Sequence, residues 1–259
     1  MSFKKSEKIK SVLKQLFTKQ RSIIIVDKLL SRLNYFFRKK INIVDFEEYL
    51  IEISEFCSSK DEKLWAESKE FGRQLTKDSS EKLRGIEFPL GGGGAYELLY
   101  FITRYIKPNI IIETGVAAGF SSKAFLVAID INKKGKLYSS DFPYFKEKNP
   151  EKYIGILVDE KYKKNWDLCI EGDINFIKKI NGLISEESVD FLHYDSDKSY
   201  RSRKKTFNSI KKYLKKNCVI IFDDIQDNLH FSHLLAEYKK DRIKIFKFSG
   251  KYIGMIWNI

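Results

Sequence analysis

The sequence predicts an α/β fold: a doubly wound, mostly parallel sheet that ends in an antiparallel hairpin and is preceded by a helical extension. Three observations predict it. From Ile110 onward, short branched-apolar runs alternate with helix-compatible segments, the pattern of a parallel sheet covered by helices. The stretch NIIIETGVAAGFSS, Asn109–Ser122, passes from an apolar strand through two glycines four apart into a helix. The last two apolar runs, Ile243–Phe248 and Tyr252–Asn258, flank Ser249-Gly250-Lys251. A connection that short makes a hairpin, so the final strand is antiparallel to its neighbour.

Taken in order, residues 1–85 contain no proline and almost no glycine, and apolar residues recur at helical spacing (Leu13, Leu16, Phe17, then Leu29, Leu30, Leu33, Phe36, Phe37). This predicts amphipathic helices packed on the main domain. We therefore divide the chain into a helical cap, 1–90, and a main domain, 91–259. A substrate lid and a homo-oligomer contact are further roles open to the cap. Gly91–Gly94 follows Phe88-Pro89-Leu90 and precedes a helical pattern, Tyr96–Tyr105. Four glycines exclude regular structure, which leaves a linker or a loop lying across a ligand. Strands are then expected at Ile110–Glu113, Lys136–Asp141, Asp167–Glu171, Val189–Tyr194 and Cys218–Phe222. Helices are expected at Ser122–Asn132, Lys152–Asn165, Ile174–Ile180 and Ser202–Lys215.

The 259 residues and 43% hydrophobic content support one large core with an extension. The net charge of +13 raises the question of a nucleic-acid partner, but only nine of the 48 basic residues are arginine, the residue that bidentate phosphate or guanine recognition favours. Three cysteines without a CxxC argue against a disulfide framework and for a reducing compartment. The longest apolar run near the basic N-terminus, Ile23–Val26, makes neither a signal-peptide core nor a membrane span. The reading is a soluble, cytoplasmic protein.

The glycines of Asn109–Ser122 permit positive φ and close approach of a ligand to bare backbone. The following helix offers free N–H groups and a positive dipole end to an anion. Every strand delivers an acid to the carboxyl edge, where open α/β sheets bind ligands: Glu113, Asp141, Glu171 with Asp173, Asp195 with Asp197, and Asp223 with Asp224. Asp141 suits two ribose hydroxyls, although it lies 28 residues after Glu113, where about 20 is usual. Asp195, Asp223 and Asp224 should converge. Three carboxylates in one pocket call for a hard cation such as Mg²⁺, Mn²⁺ or Ca²⁺. The competing reading is that Asp223 and Asp224 merely cap the next turn.

Together IIETGVAAGFSS, VDFLHYDSDKSY and VIIFDDI resemble the class I S-adenosylmethionine-dependent methyltransferases, and more narrowly the metal-dependent, macrocin-type O-methyltransferases that act on sugars. The resemblance covers Gly91 to the C-terminus. It implies a Rossmann-like seven-stranded sheet with S-adenosylmethionine bound along Glu113, Gly115, Ala117 and Gly119. Ser121 would hold the cofactor's carboxylate, Asp141 its ribose, and Gly172 with Asp173 would border its adenine. Asp195, which also borders the cofactor, would join Asp223 and Asp224 as ligands of Mg²⁺. Asp197 matches the family's general base, and Lys198 matches the base of related catechol-type enzymes, so two neighbours compete for that role. The implied acceptor is a small molecule or glycan with vicinal hydroxyls.

Other signals carry less. His193 either reaches the pocket or is a satisfied sheet histidine. His230 and His233, three apart, lack further zinc-type ligands. Lys198–Lys216 holds nine basic residues and no acid, the solvated face of a helix or a polyanion surface. The alternatives to the sugar O-methyltransferase are a nucleic-acid methyltransferase and a non-catalytic nucleotide-binding protein. A dehydrogenase is weaker, because GxxxG is not the GxGxxG that closes on a pyrophosphate.

Overall fold

The computed structural model describes residues 46–86, 90–91, 94–142 and 150–259. The apolar pattern from Leu13 to Phe37, Gly92 and Gly93, and most of the segment between Phe142 and Pro150 lie outside them.

Seven strands form one sheet: β1 (Ile110–Thr114), β2 (Lys136–Ser140), β3 (Trp166–Cys169), β4 (Val189–Tyr194), β5 (Leu214–Phe222), β6 (Ile243–Phe248) and β7 (Lys251–Trp257). Their order is β3-β2-β1-β4-β5-β7-β6. The first five are parallel, β7 runs antiparallel to β5, and β6 antiparallel to β7. This is the predicted sheet with its closing hairpin. The strand order reverses direction between β1 and β4, which opens a crevice at their carboxyl ends.

Alternation sorts the strand residues onto two faces. Ile111, Phe191, Val219 and Ile221 pack beneath α3 (Tyr96–Ile106) and α4 (Phe120–Asn132). Ile112, Leu192 and Ile220 pack against α5 (Gly172–Ile180) and α6 (Tyr200–Lys211). The helical extension is seen as α1 (Ile53–Lys60) and α2 (Glu62–Lys82). Trp65 meets Phe101 edge-on, Phe71 stacks on Tyr100, and Arg104 donates to Glu67. Ahead of α1, the Ile51 N–H donates to the Ile245 carbonyl, so the chain covers the β6 edge that would otherwise be open to pairing.

Two expected helices come out differently. Lys152–Asn165 is not one helix but two 3₁₀ turns, Pro150–Tyr153 and Glu160–Asn165, around an irregular stretch. Tertiary hydrogen bonds win there: the Gly155 and Leu157 N–H groups donate to the Ala117 and Ala118 carbonyls, at 2.9 and 3.0 Å. Gly155 has φ 69, and a Cβ on it would overlap the Trp166 ring. The helix expected to reach Lys215 stops at Lys211, because Leu214 already pairs with Val189 in the sheet.

Helix α7 (His230–Leu235) packs on the hairpin through Phe231, whose ring occupies the space that a Cβ on Gly254 would need. Gly254→Ala should therefore destabilise the protein by about 1–3 kcal/mol through overpacking. The same change in a Phe231→Ala background should add less than it does alone, as urea unfolding of the four proteins in a double-mutant cycle would measure.

Candidate functional site

The turn after β1 is held by an acid from the neighbouring strand. Gly115 and Gly119 have φ 86 and 95, and Ala117 between them is also left-handed, at φ 49. That conformation points successive N–H groups into one concavity. Asp141 fills it: its Oδ2 accepts from Val116 N at 3.0 Å and Ala117 N at 2.5 Å. A Cβ on Gly115 would overlap the Asp195 carbonyl, so this glycine lets the turn press against the end of β4. Helix α4 follows its N-cap, Gly119, and among the described residues no side-chain cap bonds its first N–H groups.

Beneath the turn lies a buried polar layer. Glu113 is fully buried and accepts hydrogen bonds from the hydroxyls of Ser121 (2.6 Å), Ser122 (2.6 Å) and Ser139 (2.7 Å). Trp166 Nε1 in turn donates to Ser139. Burial pushes the Glu113 carboxyl up to about 7, against the pull of the three hydroxyls. His193 pairs with Glu113 across the β1–β4 register. Its Nδ1, 3.9 Å from the Glu113 Oε1, has no hydrogen-bond partner among the described residues. Burial lowers the imidazole to about 4, so it is neutral. Glu113 and Ser121 thus face each other within the protein.

Asp195, Asp223 and Asp224 do converge: each offers an oxygen within 4.8 Å of the others. The register explains the first two, because Tyr194 pairs with Phe222 and the acids follow on adjacent strands. Asp224 lies one residue further and would point to the opposite face if extended. Its left-handed backbone, φ 50 and ψ 47, turns it back. Its side chain makes no capping bond to the 3₁₀ turn that follows, so the capping explanation does not describe it. Burial, then Asp195, raises the Asp223 carboxyl to about 6. Burial likewise raises Asp195. Burial works to raise Asp224 as well, but Lys198 and then Lys251 together outweigh it and the net direction is down.

Lys198 sits inside this group, bonded to Asp195 and lying 2.6 Å from Asp224. Burial works to lower its pKa, and the two carboxylates raise it further than burial lowers it. Asp197 turns elsewhere: its Oδ1 accepts from Ser199 N at 2.7 Å, at the start of α6. Asp173 accepts from Ser140 and Ser196, both at 2.6 Å, and Gly172 N donates to the Asp141 carbonyl. The two described ends of the glycine run lie over the same edge. Leu90 O accepts from Ala118 N, and a Cβ on Gly94 would sit 3.1 Å from Asp223 Oδ2.

Two residues that pattern reading passes over complete the site. Arg203 is fully buried and donates to the Asp223 and Asp224 carbonyls at 2.9 and 3.4 Å. Its basic neighbours hide it, although its place on the apolar face with Phe207 is a readable signal. Lys251, in the closing hairpin, reaches Asp224 at 3.0 Å. Among the described residues, the three aspartates are the only cluster of metal-type ligands. His230 packs on Phe207 and Phe222, and His233 pairs with the Tyr200 hydroxyl.

Arg203→Met would remove the donor to the Asp223 carbonyl and leave the Asp224 carbonyl with the Asp227 N–H alone. It should cost about 2–4 kcal/mol in urea unfolding, the range for removing one partner of a buried charged interaction. Glu113 gives a pH signature. Its folded pKa is raised from 4.5 to about 7, so its contribution to stability is present below pH 4.5 and is lost as pH rises through 7. Glu113→Gln cannot ionise. Its stability relative to wild type should increase between pH 4.5 and 7 and then level off, by up to about 3 kcal/mol for the full shift. Urea unfolding at pH 5, 6, 7 and 8 measures this, and a pH-independent difference would contradict it.

The methyltransferase-domain family matches residues 112–225 of this chain. Among solved structures, the chain is similar to the O-methyltransferase TomG from Streptomyces achromogenes in complex with SAM (TM-score 0.55, 14% identity, 71% of this chain and 88% of that one). It is also similar to an O-methyltransferase from Bacillus cereus in complex with SAH (TM-score 0.53, 14% identity, 71% and 90%) and to a methyltransferase from Geobacter sulfurreducens (TM-score 0.51, 15% identity, 72% and 88%). A comparison with curated proteins finds no match. At these identities the structural likeness is one of fold: the chain has the Rossmann-like methyltransferase architecture, and the family match spans β1 to the residue after Asp224.

Proposed function

We propose that this protein is an S-adenosylmethionine-dependent O-methyltransferase, assisted by a divalent cation, that methylates a hydroxyl of a sugar or other small polyol. The convergence of Asp195, Asp223 and Asp224 beside the glycine turn carries the reading. We read 91–259 as the catalytic domain and 1–90 as its helical cap.

The donor side fits S-adenosylmethionine on its own chemistry. Gly115 and Ala117 are partly exposed in the left-handed turn, and the start of α4 after Gly119, with no side-chain bond from its N-cap, suits a carboxylate. The Ser121 hydroxyl is already given to Glu113, so the helix N–H groups take over the role first assigned to Ser121. Asp141 holds the turn through Oδ2, accepts from the Phe142 N–H through Oδ1 and stands at the end of β2, where ribose hydroxyls would lie, and Gly172 with Asp173 borders the adenine end. Glu113 acts from beneath, by fixing the turn.

The three aspartates fit a hard cation: all donors are oxygen, and Gly94 leaves room beside Asp223 that any larger residue would fill. Such an ion would supply Lewis acidity, lowering the pKa of an acceptor hydroxyl and orienting it. The reaction forms a C–O bond as the sulfonium C–S bond breaks, with the electron pair passing to sulfur. The acceptor's proton must leave. We assign that proton to Lys198 over Asp197, whose carboxylate is bound to Ser199 N: Lys198 is an ammonium while Asp195 and Asp224 hold it, and a cation bound to those carboxylates would lower its pKa, so that it gives its own proton to water and takes the acceptor's as the neutral amine. Alignment of the two reactants supplies much of the acceleration. Against the nucleic-acid alternative, three lysines of the basic stretch are already paired: Lys211 with Glu237, Lys212 with Glu186 and Lys215 with Asp190.

Calorimetry with S-adenosylmethionine, with and without Mg²⁺, tests this on wild type and Asp223→Ala. Wild type should bind the cofactor, and Mg²⁺ should raise methylation of vicinal diols. Asp223→Ala should still bind the cofactor but lose at least about 100-fold in Mg²⁺-stimulated rate, the scale of an activating group in acid–base or metal catalysis. Absence of cofactor binding by wild type would sink the whole reading. Binding without any metal effect would remove only the metal.

A further inference from the structure

We propose that Lys251 is a built-in competitor for the cation site: its ammonium occupies Asp224 until a divalent ion takes that carboxylate, and it thereby sets the affinity for the metal. The inference rests on the metal-assisted reading above and adds a determinant that lies outside the three acids and Lys198.

Both oxygens of Asp224 are held by ammonium groups. Lys198 lies 2.6 Å from Oδ2, and Lys251 lies 3.0 Å from Oδ1 and 3.3 Å from Oδ2. The other two acids differ. Among the described residues, the Asp195 carboxylate is bonded to Lys198 alone, and Asp223 Oδ1 accepts from the Asp224 N–H. For Asp224 to ligate an ion, an ammonium must give way. Lys198 bridges two carboxylates and is the more enclosed, with a side chain 35% exposed. Lys251 serves one carboxylate and is 49% exposed. It stands at the end of a tight turn, where Ser249 and Gly250 have φ 49 and 79. The turn opens onto a shallow cavity of about 260 Å³ lined by residues from Lys247 to Tyr252. Lys251 can therefore withdraw to water, still protonated, with no rearrangement of the strands.

The charge balance agrees. Three carboxylates and two ammonium groups sum to −1. A divalent ion added with both lysines in place would make +1, whereas departure of Lys251 brings the group back to zero. The hairpin, whose antiparallel direction the fold requires, thus carries a cation that tunes the site.

The test is calorimetry of the full chain with Mn²⁺ alone, at fixed ionic strength, on wild type, Lys251→Met, Lys251→Gln and Lys247→Gln, with SAH titrated separately. Lys247 lies on β6 of the same hairpin, over the Tyr252 ring, and controls for net charge. Both Lys251 substitutions should tighten Mn²⁺ binding about fivefold, equivalent to about 1 kcal/mol, the upper end for a partly exposed pair. SAH binding should not change, and Lys247→Gln should shift Mn²⁺ binding by less than about 1.5-fold, since an exposed charge outside the cluster is largely screened. A purely structural role for Lys251 predicts weaker binding, the opposite sign. Unchanged or weaker Mn²⁺ binding in both Lys251 variants, or equal tightening in Lys247→Gln, would overturn the inference and leave the metal reading intact. If neither wild type nor the Lys251 variants bind Mn²⁺, the metal reading fails and the inference fails with it.

Discussion

Mutual repulsion among Asp195, Asp223 and Asp224 is the constraint around which the carboxyl edge is built. At the effective dielectric of a protein, two like charges about 4 Å apart cost on the order of 4 kcal/mol. Three acids with oxygens within 4.8 Å therefore need counter-charge from elsewhere. It arrives from both sides of the sheet. Lys198 and Lys251 come from the loop after β4 and from the hairpin and bond to the carboxylates. Arg203 comes from the opposite face and bonds to the carbonyls behind them. The left-handed backbone of Asp224, itself costing about 1–2 kcal/mol for a non-glycine residue, persists because Arg203 and the Asp223 carboxylate both hold it.

The same edge couples two halves with different chemistry. On the β1–β2 side, acids hold the turn and its support: Asp141 bonds the backbone N–H groups of the glycine turn and Glu113 the serine hydroxyls below it. On the β4–β5 side, acids face one another. The halves meet where Gly115 presses on the Asp195 carbonyl and where His193 lies between Glu113 and the end of β4. A side chain at Gly115 would separate them. The buried layer is dense in serine because small hydroxyls satisfy Glu113 without crowding α4 against the sheet, a requirement of any buried carboxyl.

Much of this was legible in the sequence, for identifiable reasons. The strands are short branched runs ended by acids, and the hairpin announces itself through Ser249-Gly250. Convergence of Asp195 and Asp223 follows from strand order, whereas Asp224 joins them only through its left-handed backbone. Other features depend on contacts that no local pattern encodes. The stretch 152–165 has helical composition, yet its N–H groups bond to Ala117 and Ala118. Asp197 matches a family position, but the start of α6 captures its carboxylate. Lys251 is one lysine among many, and only the antiparallel return of β7 brings it to Asp224.

That last residue changes how the charge of +13 is understood. A basic chain invites a polyanionic partner, but many of its lysines are internal counter-ions. Lys82 and Lys123 bind Asp159, with Lys123 also facing Asp78, and so tie α2 and α4 to the segment that covers the glycine turn. Lys215 holds Asp190, which in turn accepts from the N–H groups at the start of β1. Lys198 and Lys251 hold the acids of the site. In each case a lysine joins elements distant in sequence, and a flexible stem lets one ammonium serve two acceptors. Where such a pair is buried, removing one partner strands the other. Where the lysine is half exposed, as Lys251 is, it can leave. Charge in this protein is therefore better read by burial than by sum.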